Sequence, residues 1–433
     1  MKQELYDIAQ FALDTAAELG AEGAAVSLSR GQGDELNVDA GQFSLMRSVF
    51  DAAIGIKVIV GGCKGSVSIN KLDKESVQKA VSQAVEAAKL SEPDDAEYIA
   101  DSIGEHEFEY GAITGDLDKL YERVTEFLGT CKAEYPKLDI LQLITSYDSG
   151  TSLYANSNGS RVYSHTGNYS FSVEFSARDG DNTTSMNGVG VGVDELDTPF
   201  IERGDIRRSI SAMEAQLNTV PVEGKFVGKL LVSPDCFYTF VYYVLANCVM
   251  DGALIRGNSP WKDKLGEIVA DSKLSVTADS LDSRIVGSSF VTSDGHLKKA
   301  HTIIENGKLV NFQLGQYAAK KTGQSRAGDY STAFIIPGGD KSFEEMLSSV
   351  DNGLLINRFS GGNPATNGEF SGVAKNSFLI KDGKITDAVS ETMISGNLLD
   401  MLKNILALSQ ERLIDGGMVV PWALFDGVTI SGK

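Results

Sequence analysis

The apolar residues Leu5, Ile8, Ala12, Ala16 and Leu19 recur at helical spacing and Gly20 follows them, which predicts a first helix over 3–19 with one buried stripe. Between Ala24 and Ile69 the period shortens to two. Val26 with Leu28, Leu36 with Val38, the run Ala53-Ile54-Gly55-Ile56-Lys57-Val58-Ile59-Val60, and Ser66-Val67-Ser68-Ile69 predict four antiparallel strands, the last two joined at Gly61-Gly62. Asp73 stands where a second helix would be capped, and Val77, Ala80, Val81, Ala84, Val85 and Ala88 fall on one face of it.

After the polar break Ser91-Glu92-Pro93-Asp94-Asp95, a helix is expected over 117–132 with Leu117, Leu120, Val124, Phe127 and Leu128 inward. Strands follow: one over Leu138 to Ser146, then a hairpin from Leu153 to Tyr163 turning at Asn158-Gly159, then one in which Tyr169, Phe171, Val173 and Phe175 alternate with small polar residues. A helix near 205–217 closes this segment and 218–224 reads as a linker. The most apolar stretch, Cys236 to Met250, lies between Asp235 and Asp251; it is shorter than the roughly twenty residues a membrane span needs and predicts a buried core helix near 235–249. Hairpins are expected at Asn306-Gly307 and Asp382-Gly383, and their common pattern is explained either by duplication or by turn chemistry alone. The fold class is therefore α+β: an N-terminal helix–antiparallel sheet–helix unit over 1–100, a second α+β segment over 101–220, and a β-rich C-terminal domain over 221–433 enclosing the apolar helix.

Charge narrows the partners. Fifty-nine acidic against 39 basic residues give a net charge of −20, and a phosphate-binding surface would have to be assembled against that field, so no direct nucleic-acid ligand is expected. Cys63, Cys131, Cys236 and Cys248 form no CxxC pair, and the opening Met1-Lys2-Gln3-Glu4 is not a charged-then-apolar leader. Both features predict a cytoplasmic protein with no membrane partner.

Catalytic motifs are scarce. Of His106, His165, His296 and His301, only the last two are close in sequence, Leu297 stands where an HExxH motif has its glutamate, and the pair is expected to be two surface histidines. No GxSxG elbow and no cysteine-protease signature occur, and Cys248 falls within the apolar helix, where burial suppresses the thiolate. Gly188-Val189-Gly190-Val191-Gly192 lacks the strand-then-helix context of a dinucleotide loop and reads as a strand.

Three blocks carry a resemblance to a known family: Glu18-Leu19-Gly20-Ala21 with the strand Ala53 to Gly62; Asn156-Ser157-Asn158-Gly159; and Gly368-Glu369-Phe370-Ser371-Gly372-Val373 leading to Ile394-Ser395-Gly396-Asn397-Leu398-Leu399-Asp400-Met401. On these the chain resembles, over its whole length, the TldD/PmbA family once described as modulators of DNA gyrase, and within it the PmbA/TldE branch. The resemblance implies a heterodimeric zinc metalloprotease acting on unfolded or extended peptides, with the gyrase effect indirect. Its TldD-type subunit carries His-Glu-x-x-x-His on a C-terminal-domain helix and a third, cysteine ligand near the C-terminus. Aligned through Met250-Asp251-Gly252, the metal helix falls on Tyr243-Val244-Leu245-Ala246-Asn247-Cys248, and Gly417-Met418 lies near the third ligand's place. Tyr243, Val244 and Cys248 are then degenerate motif positions. The resemblance implies no catalytic, metal or cofactor-binding residue in this chain, with zinc expected in the partner. The expected function is a catalytically silent subunit of a TldD/TldE protease, dimeric with a TldD-type partner and homodimeric in its absence. The alternative is a stand-alone peptide-binding or regulatory protein without peptidase activity.

Overall fold

Helix α1 (Lys2–Glu18) buries Leu5, Ile8, Ala12 and Ala16 on the stripe its spacing predicts. It packs with α2 (Lys74–Lys89), whose first turn is capped by the Asp73 side chain accepting from the Ser76 amide, against one face of a sheet. In the computed structural model, which describes residues 2–390 and 392–432, that sheet has eight strands among the described residues, and the fold is mixed α+β.

The strands are longer than their alternation suggests. β1 (Gly23–Asp39) and β2 (Gln42–Val60) form one hairpin, followed by β3 (Cys63–Ile69), so three strands stand where four were expected. The polar stretch around Gly31 and Gly33, which reads as a break, is paired on both sides: Gly31 lies opposite Asp51 of β2 and Gly150 of β5 (Leu138–Asn156). A Cβ on Gly31 would stand 2.2 Å from Asp51 Oδ1 and one on Gly33 2.7 Å from Asp148 Oδ1. These glycines let neighbouring carboxylates lie across the strand. The strand expected to end at Ser146 and the one expected to begin at Leu153 are likewise both parts of β5.

β5 turns at Asn158-Gly159 into β6 (Arg161–Asp179), and β4 (Glu105–Gly111) pairs with β6 in parallel. β7 (Asn182–Thr183) and β8 (Asn187–Val193), the glycine-alternating stretch, also pair with β6. Helix α3 (Leu117–Glu134) seals a second core with Phe127, Phe171 and Phe200. Because β1 pairs with β5 along its length, the expected segments 1–100 and 101–220 share this sheet. The helix expected over 205–217 is two short pieces, α4 (Ile206–Ser211) and a 3₁₀ turn over Glu214–Leu217. The expected linker contains a short strand, Thr219–Pro221.

Beyond it, fourteen strands among the described residues form the second sheet. Lys225–Val232 pairs antiparallel with Val419–Ser431 and parallel with Asn352–Ile356, and the apolar helix α5 (Pro234–Cys248) lies in the largest core. Phe237, Val241, Leu245 and Cys248 are buried, as expected of a core helix, and no helix of the described residues is long and apolar enough to cross a membrane. Both Asn-Gly and Asp-Gly hairpins form. Asn306, Gly307, Asp382 and Gly383 all have positive φ, which type I′ turns require, so turn chemistry accounts for their common pattern.

Candidate functional site

Helix α5 starts at Ser233, whose hydroxyl oxygen accepts from the Cys236 amide at 3.4 Å, with Pro234 in the first turn. One helical turn before its end, Tyr243 is half-buried and Val244 is buried; Cys248, on the last turn, is fully buried. Burial pushes the Cys248 thiol up to about 12, so it stays protonated at neutral pH. These three side chains line a crevice of only about 10 Å³, closed on its other side by 364–366, Gly368 and Leu398–Leu399. That volume holds about one water.

The C-terminal blocks that carry the resemblance meet at this crevice. Gly368 has φ +90°, and a Cβ there would lie 2.6 Å from Asn397 Oδ1 and 2.8 Å from Leu399 Cγ. Asn397 donates to the Asn367 carbonyl at 2.9 Å, and its side-chain oxygen accepts from the Leu399 and Asp400 amides, capping the short helix Leu398–Lys403. Phe370 packs with Phe240 of α5 and with Phe359, with ring centroids 5.5 and 5.7 Å apart. Glycine, asparagine and aromatic residues are needed here for closure around the helix.

The residues at the motif positions do not fit zinc. Valine offers no donor atom, and the crevice is too small for an ion with an open position. Gly417 and Met418 do not line it; their amides donate to Asp415 Oδ1 at 2.8 and 2.9 Å in a turn. Among the described residues, no group of three or more His, Cys, Asp or Glu side chains is placed to hold a metal ion.

The expected surface pair His296 and His301 is half-buried, and each ring has a partner far away in sequence. His301 Nε2 donates to the Phe312 carbonyl at 2.8 Å while Nδ1 accepts from the Gly328 amide at 3.3 Å, an arrangement only the neutral ring satisfies. Burial holds its pKa below the ordinary imidazole value. His296 Nε2 lies 2.8 Å from Tyr98 Oη and is also shifted down, first by burial and then by Arg326. The remaining two are apart from these: His106 bonds the Ile103 carbonyl and His165 lies near Ser149.

Tyr98 marks a feature that sequence spacing does not reveal. A cleft of about 310 Å³ runs over the face of the first sheet opposite α1 and α2, floored by Ser27, Lys57, Ser66 and Ser68 and walled by Tyr98 and Asp294. Lys320 Nζ stands 4.0 Å from the Tyr98 ring centroid, and burial holds the phenol above its ordinary pKa. Asp294 Oδ2 accepts from the Gln316 amide at 2.7 Å. A second cleft of about 170 Å³ continues along Ser152, Ser164 and Phe290. Such walls offer hydroxyls and short side chains, among them the protonated Tyr98, which His296 partners from behind the lining.

Comparison with known proteins bears on both places. The sequence profile of the PmbA/TldA metallopeptidase C-terminal domain matches residues 225–432, and that of PmbA/TldA metallopeptidase domain 1 matches 24–88. A Haemophilus influenzae protein named as a metalloprotease PmbA homolog is 26% identical, with 100% of this chain and 97% of that protein covered. The metalloprotease PmbA of Escherichia coli O157:H7 is 26% identical over 93% of this chain and 92% of its own length. Among solved structures, TldE of Thermococcus kodakarensis superposes with a TM-score of 0.87 at 20% identity, covering 98% of this chain and 100% of that one. A Bacteroides thetaiotaomicron protein described as a candidate modulator of DNA gyrase superposes with a TM-score of 0.86 at 21% identity, covering 99% of each chain.

Proposed function

The chain belongs to the PmbA/TldD metallopeptidase family, and we propose that within it this protein is a catalytically silent PmbA/TldE-type subunit whose TldD-type partner supplies the zinc. One observation carries the reading. At the positions where the resemblance sets His-Glu-x-x-x-His stand Tyr243, Val244 and Cys248, packed on a crevice of about 10 Å³. A metallopeptidase needs a first shell and an open position for water, and this arrangement supplies neither.

In this reading 221–433 is the metalloprotease-like domain and the silent chain completes the chamber. The serine-floored clefts beside Tyr98 hold extended peptide through hydroxyls and main chain while the partner cuts it. The protein works in the cytoplasm, and an influence on DNA gyrase is a consequence of proteolysis elsewhere. The clefts also favour the second reading, a peptide-binding protein that acts without any protease. Purification from the native host followed by cleavage assays on an unstructured peptide separates the two. The silent-subunit reading expects a TldD-type chain to co-purify and cleavage to require it. Cleavage by this chain alone, or peptide binding with no such partner recovered, goes against it.

A further inference from the structure

The helix Gln316–Thr322 ends at Gly323, whose φ of +66° turns the chain back on itself. The returning segment is pinned on both sides of Arg326: the Gln324 amide donates to the Ala319 carbonyl at 3.0 Å, the Ala327 amide to the Leu314 carbonyl at 2.8 Å, and the Gly328 amide to His301 Nδ1 at 3.3 Å. Arg326 is thereby half-buried. Its Nη1 is buried without a hydrogen-bond partner, and among the described residues its guanidinium makes no ion pair. A charged donor left unmet in this way is costly, and native proteins seldom keep one without a use. The carboxylates nearby are engaged elsewhere: Asp294 accepts from the Thr292 hydroxyl and the Gln316 amide, and Asp329 from Ser280 and the Ser331 amide. Asp101 is exposed and makes no ion pair among the described residues. The positive charge of Arg326 acts on both Tyr98 and His296, which places the guanidinium beside the Tyr98 wall of the larger serine-floored cleft.

Lys320 is a second uncompensated cation at the same wall. Its Nζ stands 4.0 Å from the Tyr98 ring centroid and has no ion-pair partner among the described residues, whereas Lys321 meets Asp94 at 2.8 Å and Lys57, on the cleft floor, meets Glu97 at 2.8 Å. Between Lys298 and Arg326 stand six basic residues and one acidic, Glu305, in a chain of net charge −20. We propose that Lys320 and Arg326 form a carboxylate-binding subsite on the Tyr98 wall of this cleft, which takes a free carboxylate of the extended peptide lying there. The proposal rests on the peptide-holding reading of the clefts and adds what they select. Serine hydroxyls grip main chain without regard to charge, so selection falls to the unpaired cations. A planar guanidinium matches a carboxylate with two parallel hydrogen bonds, and an ammonium beside it adds a point charge. A peptide carries that group at its C-terminus or on an Asp or Glu side chain.

Calorimetric titration of the purified full chain with three N-acetylated, unstructured Gly/Ser peptides tests this: one ending in a free carboxylate, one ending in an amide, and the amide with a single internal glutamate. At least one carboxylate-bearing peptide is expected to bind about tenfold tighter than the neutral amide. Preference for the free acid alone assigns the subsite to the peptide C-terminus; preference for the glutamate peptide assigns it to an acidic side chain. Arg326→Gln and Lys320→Gln are each expected to reduce that preference, and Arg326→Lys to restore only part of it, because the ammonium cannot form the two-bond pair. Lys320 is exposed, so Lys320→Gln keeps the test decisive even if Arg326→Gln folds poorly. Equal binding of all three peptides, or a preference that survives both glutamine variants, overturns the subsite while leaving the peptide-holding reading intact. Binding of none of them overturns that reading, and the subsite with it.

Discussion

Cys248 is fully buried, and that burial pushes its thiol up to about 12. It should therefore react slowly with alkylating reagents at neutral pH in the folded protein and quickly only after unfolding. Cys248→Ala removes one buried sulfur and should cost about 1 kcal/mol of stability while leaving partner-dependent cleavage unchanged. Rapid alkylation of the native chain, with loss of cleavage in the alanine variant, would contradict this. Gly368 is the opposite case, where adding one carbon does harm. Its φ of +90° and the 2.6 Å approach to Asn397 Oδ1 mean that Gly368→Ala should destabilise by about 1–3 kcal/mol, read as an earlier denaturant midpoint. The sequence shows Gly368 and Asn397 as parts of a family signature, but their reason, a closed turn against α5, depends on contacts across the fold. His301 was illegible in the same way, since its partners Phe312 and Gly328 are set by tertiary packing. Its depressed pKa has a sign: below the ordinary 6.5 the unfolded chain takes up a proton that the folded ring resists, so stability is lost as pH falls below that value. Denaturant midpoints between about pH 7.5 and 5.5 should fall in the wild type and fall less in His301→Gln.

At the scale of elements, helix periodicity was legible and strand ends were not. The stripes of α1, α2 and α3 lie where 3.6-residue spacing puts them, because each faces one core; the exception is Leu19, expected on the α1 stripe, which stands past the end of the helix and is exposed. The split of β1 and of β5 into shorter strands failed for one physical reason. Glycine and polar residues signal a turn locally, yet Gly31, Gly33 and Gly150 sit between paired neighbours whose hydrogen bonds hold the strand straight through. Hairpin turns were legible because Asn306-Gly307 and Asp382-Gly383 demand positive φ whatever surrounds them. Capping is equally local. Ser233 is buried, accepts from the Cys236 amide and donates to the Asn357 carbonyl at 3.0 Å, so Ser233→Ala removes the side-chain partner of one buried amide and one part-buried carbonyl. A loss of about 1–2 kcal/mol is expected by chemical denaturation, with α5 the element that loosens.

For the molecule as a whole, two sheets divide the work: one presents serine-floored clefts on the face away from its helices, and the other encloses α5. Which sheet-forming segments come together was beyond sequence periodicity, since the pairing of β1 with β5 joins residues far apart in the chain. The alignment of α5 with the family's metal helix was visible only by resemblance, because Tyr243, Val244 and Cys248 by themselves read as ordinary core. The central claim is that this chain has no zinc centre of its own, and metal analysis of the purified protein after dialysis against zinc tests it most directly. The account predicts far less than one zinc per chain, unchanged in Cys248→Ala. One tightly held zinc per chain, resistant to mild chelation and lost in Cys248→Ala or His301→Gln, would contradict it.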